Sequence, residues 1–300
     1  MRTASFRRRS GAPPQVFGHR GVRGAAPENT MSAFELAAKA GAQGVELDVR
    51  VCGSGELVVC HDPTLDRVTS GRDRRVVADL DWPTLSGVDV GDGQHIPLLD
   101  EVLRWARDRN MKVNVEMKRD LPDRRAVVRE TARALDRIGA QLGNVIVSSF
   151  DPWMLAHLGW QMPNTLRGYL FASGQRWARY GWAALPLRVE AVHPDKLLVD
   201  AKRCEKWRRR GKLVNVWTVN DGAEARSLAA IGVDAIVTDT PQIIVEALNS
   251  PRGGPKAAPS NSPGPKAAPS NSPGPKAAPS NSPGPKAAPS NSPGPKAAPS

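Results

Sequence analysis

The chain has 300 residues, of which 40% are hydrophobic, so it is long enough to form one large folded domain. The formal net charge is +12, but the first ten residues and the segment after residue 250 leave only +2 for residues 11–250. A specific nucleic-acid-binding domain would carry its charge on a folded face. The charge distribution therefore argues against a nucleic-acid partner.

At the amino terminus, Arg2, Arg7, Arg8 and Arg9 are followed at once by Pro13 and Pro14. This pattern lacks the apolar core of a secretory leader. No apolar run anywhere approaches the ~18 residues of a membrane span. We therefore predict a basic, disordered amino terminus at residues 1–13 and a cytoplasmic location. The three cysteines are predicted to be reduced thiols.

Short apolar runs alternate with amphipathic helical patterns between residues 14 and 249, which is typical of a parallel sheet with helical crossovers. In the first helix, Asn29 or Thr30 provides the cap and Gly41 ends the helical pattern. The predicted strands are Val16–Gly18, Val45–Val49, Val113–Met117, Val145–Ser148, Leu166–Phe171, Ala191–His193, Leu213–Val219 and Ala235–Thr238. Eight such units over about 235 residues predict an α/β fold of the (β/α)8 TIM-barrel type. A doubly wound open sheet is the alternative.

A Gly-rich turn, Cys52-Gly53-Ser54-Gly55, interrupts this alternation after the second strand. Apolar runs flank it on both sides, so the segment is predicted to form a β-hairpin. After residue 250 the chain repeats Asn-Ser-Pro-Gly-Pro-Lys-Ala-Ala-Pro-Ser and contains no large apolar residue. Residues 250–300 are therefore predicted to be a disordered tail. Its lysines could make weak contact with anionic membranes.

Polar residues inside the predicted strands indicate a functional site. Glu46 and Asp48 lie two residues apart on the second strand, so both side chains point to one face. Glu116 and Lys118 repeat the arrangement on the third barrel strand. Three inward carboxylates would repel one another, and a divalent cation would remove that repulsion; oxygen ligands favour Mg²⁺ or Ca²⁺. The alternative is an inward salt-bridge network, for example between Glu116 and Lys118.

Two histidines stand at the ends of predicted strands, His19 after the first strand and His61 after the hairpin. In a barrel this rim holds the active site. Phosphodiester cleavage needs a base for the attacking oxygen and an acid for the leaving oxygen, and histidine can do both near neutral pH. Arg20 and Lys118 could hold the phosphate. His193 and Phe150 end later strands and are candidates for the pocket lining.

Several strings resemble, in order and spacing, the glycerophosphodiester phosphodiesterase family. They are His19-Arg20-Gly21, Pro27-Glu28-Asn29-Thr30, Glu46-Leu47-Asp48, His61-Asp62, Glu116-Met117-Lys118, Ser148-Ser149-Phe150, His193-Pro194, Trp217-Thr218-Val219-Asn220 and Thr238-Asp239-Thr240-Pro241. The resemblance covers about residues 15–248. The turn at Gly53-Ser54-Gly55 departs from the family, which commonly has Asp-Gly there.

The resemblance implies a barrel like that of phospholipase C, with one divalent cation on Glu46, Asp48 and Glu116. It implies that His19 and His61 form the acid–base pair and that Trp217 lines the glycerol pocket. The implied reaction is hydrolysis of a glycerophosphodiester to sn-glycerol 3-phosphate and an alcohol, by way of a cyclic phosphate. The sequence leaves open which histidine acts first as the base.

Two other functions are compatible with these motifs. One is a lysophospholipase D activity on lipid substrates. The other is a scaffold barrel without catalysis, which the presence of all five core residues opposes. The head group, the preferred cation and the oligomeric state do not follow from the sequence.

Overall fold

The computed structural model of the chain describes residues 3–121, 123–174 and 188–250. The strands are β1 (Gln15–His19), β2 (Gly44–Val51), β3 (Leu57–Val59), β4 (Lys112–Met117), β5 (Val145–Ser149), β6 (Leu166–Phe171), β7 (Ala191–Pro194), β8 (Leu213–Val216) and β9 (Ala235–Thr238). The α-helices are α1 (Met31–Lys39), α2 (Trp82–Ser86), α3 (Leu99–Asp108), α4 (Arg124–Ile138), α5 (Pro152–Gln161), α6 (Ala201–Arg209), α7 (Gly222–Ile231) and α8 (Pro241–Asn249).

All of these strands except β3 pair in parallel, in the order β1-β2-β4-β5-β6-β7-β8-β9. Because β9 also pairs with β1, the sheet closes into an eight-stranded barrel. The predicted (β/α)8 barrel is confirmed, and the open-sheet alternative is wrong. Strand β3 pairs antiparallel with the end of β2, which gives the predicted hairpin.

The alternation of side chains along β2 explains both the core and the site. Val45, Leu47 and Val49 are fully buried in the layer between the strands and the outer helices. Glu46 and Asp48 point the other way, into the barrel. The strand thus contributes apolar surface to the core on one side and carboxylates to the barrel interior on the other.

The amino-terminal segment packs under the barrel, which differs from the sequence prediction. Phe6 is buried and stacks on Phe17, with ring centroids 6.2 Å apart. Its apolar neighbours lie at or near the starts of five strands: Ile146, Leu166, Ala191, Leu213 and Ala235. Arg7 donates to the backbone oxygens of Gly211 and Lys212. The prediction that residues 1–13 are disordered is therefore wrong for this segment, because Phe6 fills the amino-terminal end of the barrel.

Replacing Phe6 with alanine is expected to lower the free energy of unfolding by about 3 kcal/mol, because it leaves a cavity among buried apolar side chains. Urea denaturation of the variant measures this loss. Trp160, which is 81% exposed on α5, provides the matched control. Its replacement by alanine should change the stability by less than about 0.5 kcal/mol. Equal stability of the Phe6 variant and the wild type would contradict the packing described here.

The predicted tail at residues 250–300 lies outside the described residues except for Ser250, and so does its predicted membrane contact. In the part of the chain that the structure describes, no helix is both long enough and apolar enough to cross a membrane. The three cysteines are free, as predicted, and all three are buried.

Candidate active site

The predicted site residues converge at the carboxyl-terminal ends of the barrel strands. A cavity of about 240 Å³ opens there, and nine of the ten predicted residues line it. They are His19, Arg20, Glu46, His61, Glu116, Lys118, Phe150, His193 and Trp217. The tenth, Asp48, is 1% exposed and lies beside them. This is the end at which barrel enzymes carry their active sites.

The three predicted metal ligands form one cluster. Glu46, Asp48 and Glu116 each offer a carboxylate oxygen, and these oxygens lie within 4.8 Å of one another. The parallel register of β2 and β4 sets Asp48 opposite Glu116. Burial raises the pKa of Glu46 to about 8, and the negative charge of Asp48 adds to the shift. Burial also raises the pKa of Glu116.

Two cations offset part of this negative charge. Lys118 Nζ lies 2.8 Å from Asp48 Oδ1 and 2.8 Å from Glu116 Oε1. Arg20 Nε lies 3.1 Å from Asp48 Oδ2. Burial alone would raise the pKa of Asp48, but the charges of Lys118 and Arg20 outweigh burial and hold it well below its usual range. The salt bridge between Glu116 and Lys118, considered above as an alternative to a metal site, is therefore present.

That network leaves Glu46 without a lysine or arginine partner among the described residues. Within the described residues, its ion pair is with the His19 ring, whose Nε2 lies 3.9 Å from Glu46 Oε2, and the charge of Arg20 acts on it without forming an ion pair. The Glu46 carboxylate otherwise accepts the backbone N–H of Arg20 at 3.2 Å. A buried carboxylate without a strong cationic partner destabilises the fold unless it is protonated or binds a cation. The three oxygen donors fit a hard divalent cation such as Mg²⁺ or Ca²⁺.

Each of the two histidines is held through Nδ1 by a carboxylate. His19 Nδ1 lies 2.7 Å from Asp239 Oδ1, and Asn220 donates to the other oxygen of Asp239 at 2.7 Å. His61 Nδ1 lies 2.5 Å from Asp62 Oδ1. A carboxylate on Nδ1 fixes the ring and leaves Nε2 available for proton transfer. This geometry is what an acid–base pair requires.

The surroundings of the two rings favour opposite protonation states. Burial would lower the pKa of His19, but the hydrogen bond to Asp239 and the charge of Glu46 outweigh burial, so the pKa is raised. Burial lowers the pKa of His61, and together with the nearby cations Lys118 and Arg20 it outweighs the opposing charge of Asp48. The His19 ring therefore holds a proton more readily than the His61 ring.

An aromatic wall and a buried histidine complete the cavity. The Phe150 and Trp217 rings meet edge to face with centroids 5.6 Å apart, and Trp217 Nε1 donates to the His193 carbonyl oxygen at 2.8 Å. Strand β8 ends at Val216, three residues before the predicted end, and Trp217, directly after it, lines the cavity. Burial lowers the pKa of His193 to about 3, so this side chain is neutral.

The space for the His193 ring depends on Gly168 in the neighbouring strand. A Cβ at Gly168 would lie 2.4 Å from His193 Nε2. That nitrogen also lies 3.1 Å from Asn215 Nδ2. The ring is thus fixed at the cavity wall as a neutral hydrogen-bonding group.

A family model of the glycerophosphoryl diester phosphodiesterase family matches residues 19–243 of the chain. The chain belongs to this family. The match runs from the last residue of β1 into the first turn of α8 and includes every predicted site residue. As a glycerophosphodiester phosphodiesterase, the protein is a phosphoric diester hydrolase, as predicted from its motifs.

Curated relatives agree with this assignment. The glycerophosphodiester phosphodiesterase of Caldanaerobacter subterraneus is 30% identical over 248 residues, which cover 80% of this chain and 98% of the relative. The enzyme of the same name from Bacillus altitudinis is 29% identical and covers 77% and 97%, respectively. The phosphodiesterase thus matches almost the full length of these relatives.

Solved structures of the family share the fold. A putative glycerophosphoryl diester phosphodiesterase from Silicibacter pomeroyi superposes with a TM-score of 0.75 at 26% identity, covering 82% of this chain and 96% of that one. A phosphodiesterase from Oleispira antarctica superposes with a TM-score of 0.72 at 28% identity, covering 79% and 98%. That structure contains the product sn-glycerol-3-phosphate.

Sequence analysis missed the residues of the phosphodiesterase that hold the site residues in place. Asp62 and Asp239 orient the two histidines, and Glu28 accepts from Arg20 Nη1 at 2.8 Å. Asn29, considered as a helix cap, instead donates to Asp48 Oδ2 at 3.0 Å, whereas Thr30 caps α1. The available signal was the presence of these acidic and amide residues within the family strings, and Asp62 alone among them adjoins a predicted site residue.

Replacing Asp239 with asparagine is expected to lower the pKa of His19, because the variant loses the carboxylate that raises it. If His19 donates a proton, activity should then decline at a lower pH on the alkaline side of the pH–rate profile. We also expect kcat to fall by about 10- to 100-fold, as is typical when a partner that orients a site residue is lost. The pH dependence of kcat measures both effects. If the alkaline side of the pH–rate profile is unchanged in the variant, Asp239 does not raise the pKa of His19.

Proposed function

We propose that this phosphodiesterase hydrolyses glycerophosphodiesters to sn-glycerol 3-phosphate and an alcohol, using one divalent cation and the pair His19 and His61. The cation would be Mg²⁺ or Ca²⁺, bound by Glu46, Asp48 and Glu116. The observation that carries the proposal is the position of the Glu46 carboxylate, which is buried beside the two histidines and has no lysine or arginine partner in the described chain. The product in the Oleispira antarctica structure supports the assignment of the substrate class.

The bound cation would supply positive charge to the phosphoryl oxygens and to the attacking hydroxyl. Arg20 and Lys118 would hold the phosphate, Arg20 by its planar guanidinium group and Lys118 as a point charge. Both already lie among the carboxylates, so the phosphate would bind where their charges converge. The wall formed by Phe150 and Trp217 would pack against the carbon atoms of glycerol.

In the first step, His61 Nε2 would take the proton of the glycerol 2-hydroxyl, whose oxygen attacks phosphorus. The bond from phosphorus to the alcohol oxygen breaks, and that oxygen receives the proton from His19 Nε2. The products are a cyclic glycerol phosphate and the free alcohol. The lowered pKa of His61 and the raised pKa of His19 support this order.

In the second step, the histidines would exchange roles. His19, now neutral, takes a proton from water, and the water oxygen attacks phosphorus. The bond to the ring oxygen breaks, and His61 returns its proton to that oxygen. Both rings regain their starting protonation states, so the cycle is balanced.

Release of sn-glycerol 3-phosphate from a panel of glycerophosphodiesters, with Mg²⁺, with Ca²⁺ and with EDTA, tests the proposal. Release that needs a divalent cation is the expected result, and the rates rank the head groups. The panel includes a lysophospholipid, followed by release of its head-group alcohol because its phosphate product keeps the acyl chain; preference for it would indicate the lysophospholipase D alternative. No release from any diester by folded protein with either cation would contradict the proposal.

A further inference from the structure

Arg67 joins two parts of the site that come from different loops. It follows the hairpin strand β3, and its guanidinium binds both oxygens of Glu28, from Nη1 and Nη2, at 2.8 Å each. Its Nε donates to Asp62 Oδ2 at 2.5 Å. All three nitrogens of one planar group are therefore engaged by two carboxylates, an arrangement that suits arginine and that lysine cannot reproduce.

Each of these carboxylates holds a residue of the proposed reaction. Glu28 Oε1 accepts from Arg20 Nη1 at 2.8 Å, and Arg20 is the proposed phosphate ligand. Asp62 Oδ1 binds His61 Nδ1, and His61 is the proposed first base. Arg67 is the common partner, so a continuous chain of contacts leads from the phosphate ligand to the base.

The segment that carries Arg67 is held in place by apolar packing and by hydrogen bonds to its backbone. Leu65 is fully buried in a small apolar cluster that is separate from the main core, together with Val58, Val77 and Leu85. The Thr69 hydroxyl donates to the Leu65 carbonyl oxygen at 2.8 Å and accepts the backbone N–H of Asp73 at 2.9 Å. The backbone around Arg67 is thus fixed independently of the barrel interior.

We propose that Arg67 is a positioning residue, which sets the distance and orientation between Arg20 and His61 through Glu28 and Asp62. The inference rests on the proposed function, since it presumes that both residues act on the phosphodiester. The Arg67 side chain is 45% exposed and does not line the cavity, so it acts through its two carboxylates and does not touch substrate. Small displacements of acting groups can lower rates by about 100-fold.

The test compares Arg67→Gln and Arg67→Lys with a matched control on the same segment. Arg74→Gln is suitable, because Arg74 is 82% exposed and, within the described residues, forms an ion pair with Asp66 alone. Arg67→Gln should lower kcat/KM by about 10- to 100-fold. We expect kcat to fall because His61 is displaced, and KM to rise because Arg20 is displaced. Arg67→Lys should be intermediate, and Arg74→Gln should stay within about twofold of wild type.

A double-mutant cycle with Asp62→Asn separates positioning from a general effect on folding. If Arg67 acts on His61 through Asp62, adding Arg67→Gln to Asp62→Asn should lower kcat by much less than it does in the wild type. Melting temperatures of all variants, with Arg74→Gln as the reference, report stability separately. A fully additive cycle would overturn the proposal, as would full activity of Arg67→Gln or Arg67→Lys.

His61→Ala, measured in the same assay, distinguishes the two possible failures. An inactive His61→Ala beside a fully active Arg67→Gln would overturn the role of Arg67 and leave the proposed function intact. A fully active His61→Ala would overturn the proposed function and the role of Arg67 with it.

Discussion

Replacing His61 with alanine is expected to lower kcat by about a thousandfold with natural glycerophosphodiesters, within the range that one acid–base group contributes. The cause is the loss of the neutral Nε2 that takes the proton of the attacking hydroxyl. His19→Ala should lower kcat by a similar factor, because the departing alcohol then lacks its proton donor. Steady-state release of sn-glycerol 3-phosphate measures both losses.

A substrate with an acidic phenol as the leaving group separates the two roles. The phenolate leaves without a proton, so His19→Ala should release phenol at nearly the wild-type rate, whereas His61→Ala should remain slow. Because His19 is then missing as the base of the second step, the cyclic phosphate should accumulate in His19→Ala and be visible by phosphorus NMR. His157→Ala, on the outer face of α5 between Trp153 and Trp160, is the control for losing a histidine.

The reverse pattern, in which the phenol substrate rescues His61→Ala, would exchange the two assignments. Wild-type activity in both variants with natural substrates would exclude histidine acid–base catalysis altogether.

Replacing Glu46 with glutamine is expected to lower activity by more than about 100-fold. The loss should be this large because Glu46 is a proposed metal ligand, and losing even a residue that only orients a ligand typically costs about 10- to 100-fold. The same change should stabilise the metal-free protein at pH 8. Burial raises the pKa of Glu46 above its ordinary value of 4.5 to about 8. The ionised side chain therefore destabilises the fold increasingly as the pH rises between these values, and glutamine removes that loss.

Thermal unfolding at pH 5 and pH 8, with EDTA or with Mg²⁺ or Ca²⁺, measures this effect without an activity assay. In the wild type, the cation should raise the melting temperature most at pH 8, where the carboxylates are ionised. In Glu46→Gln, the metal-free protein should melt higher than the wild type at pH 8, and the cation should add little. Glu205→Gln, an exposed position on α6, is the control. A lower melting temperature for metal-free Glu46→Gln at pH 8 would contradict the account.

The sequence predicted the barrel and the inward carboxylates because both depend on local periodicity. Side chains alternate along a strand, so Glu46 and Asp48 lie on one face whichever strands pair with it. Eight successive β/α units are the number that closes a sheet into this type of barrel. The packing of the amino terminus could not be predicted in this way. Phe6 is an isolated aromatic residue beside a run of arginines, and no periodic pattern in the sequence predicts that it packs against the starts of distant strands.

The partners of the histidines could not be predicted for a related reason. Asp239 meets His19 across 220 positions of sequence, and a string of motifs does not state which side chains face each other. Arg67 is further removed, because it reaches the site only through Glu28 and Asp62. Asp62 could have been suspected because it directly follows His61 in the sequence. Nothing in the sequence indicated that Arg67 belongs to the site.

The Phe6 contacts also constrain the order of events on the ribosome. Arg8, two residues after Phe6, donates its backbone N–H to Asp234 at 3.0 Å, and β1 pairs with β9, the last strand to be synthesised. At a synthesis rate of roughly 5–20 residues per second, Arg8 and β1 are therefore made well before their partners Asp234 and β9. Until β9 is available, one edge of β1 lacks its partner, and an unpaired strand edge can pair with other chains.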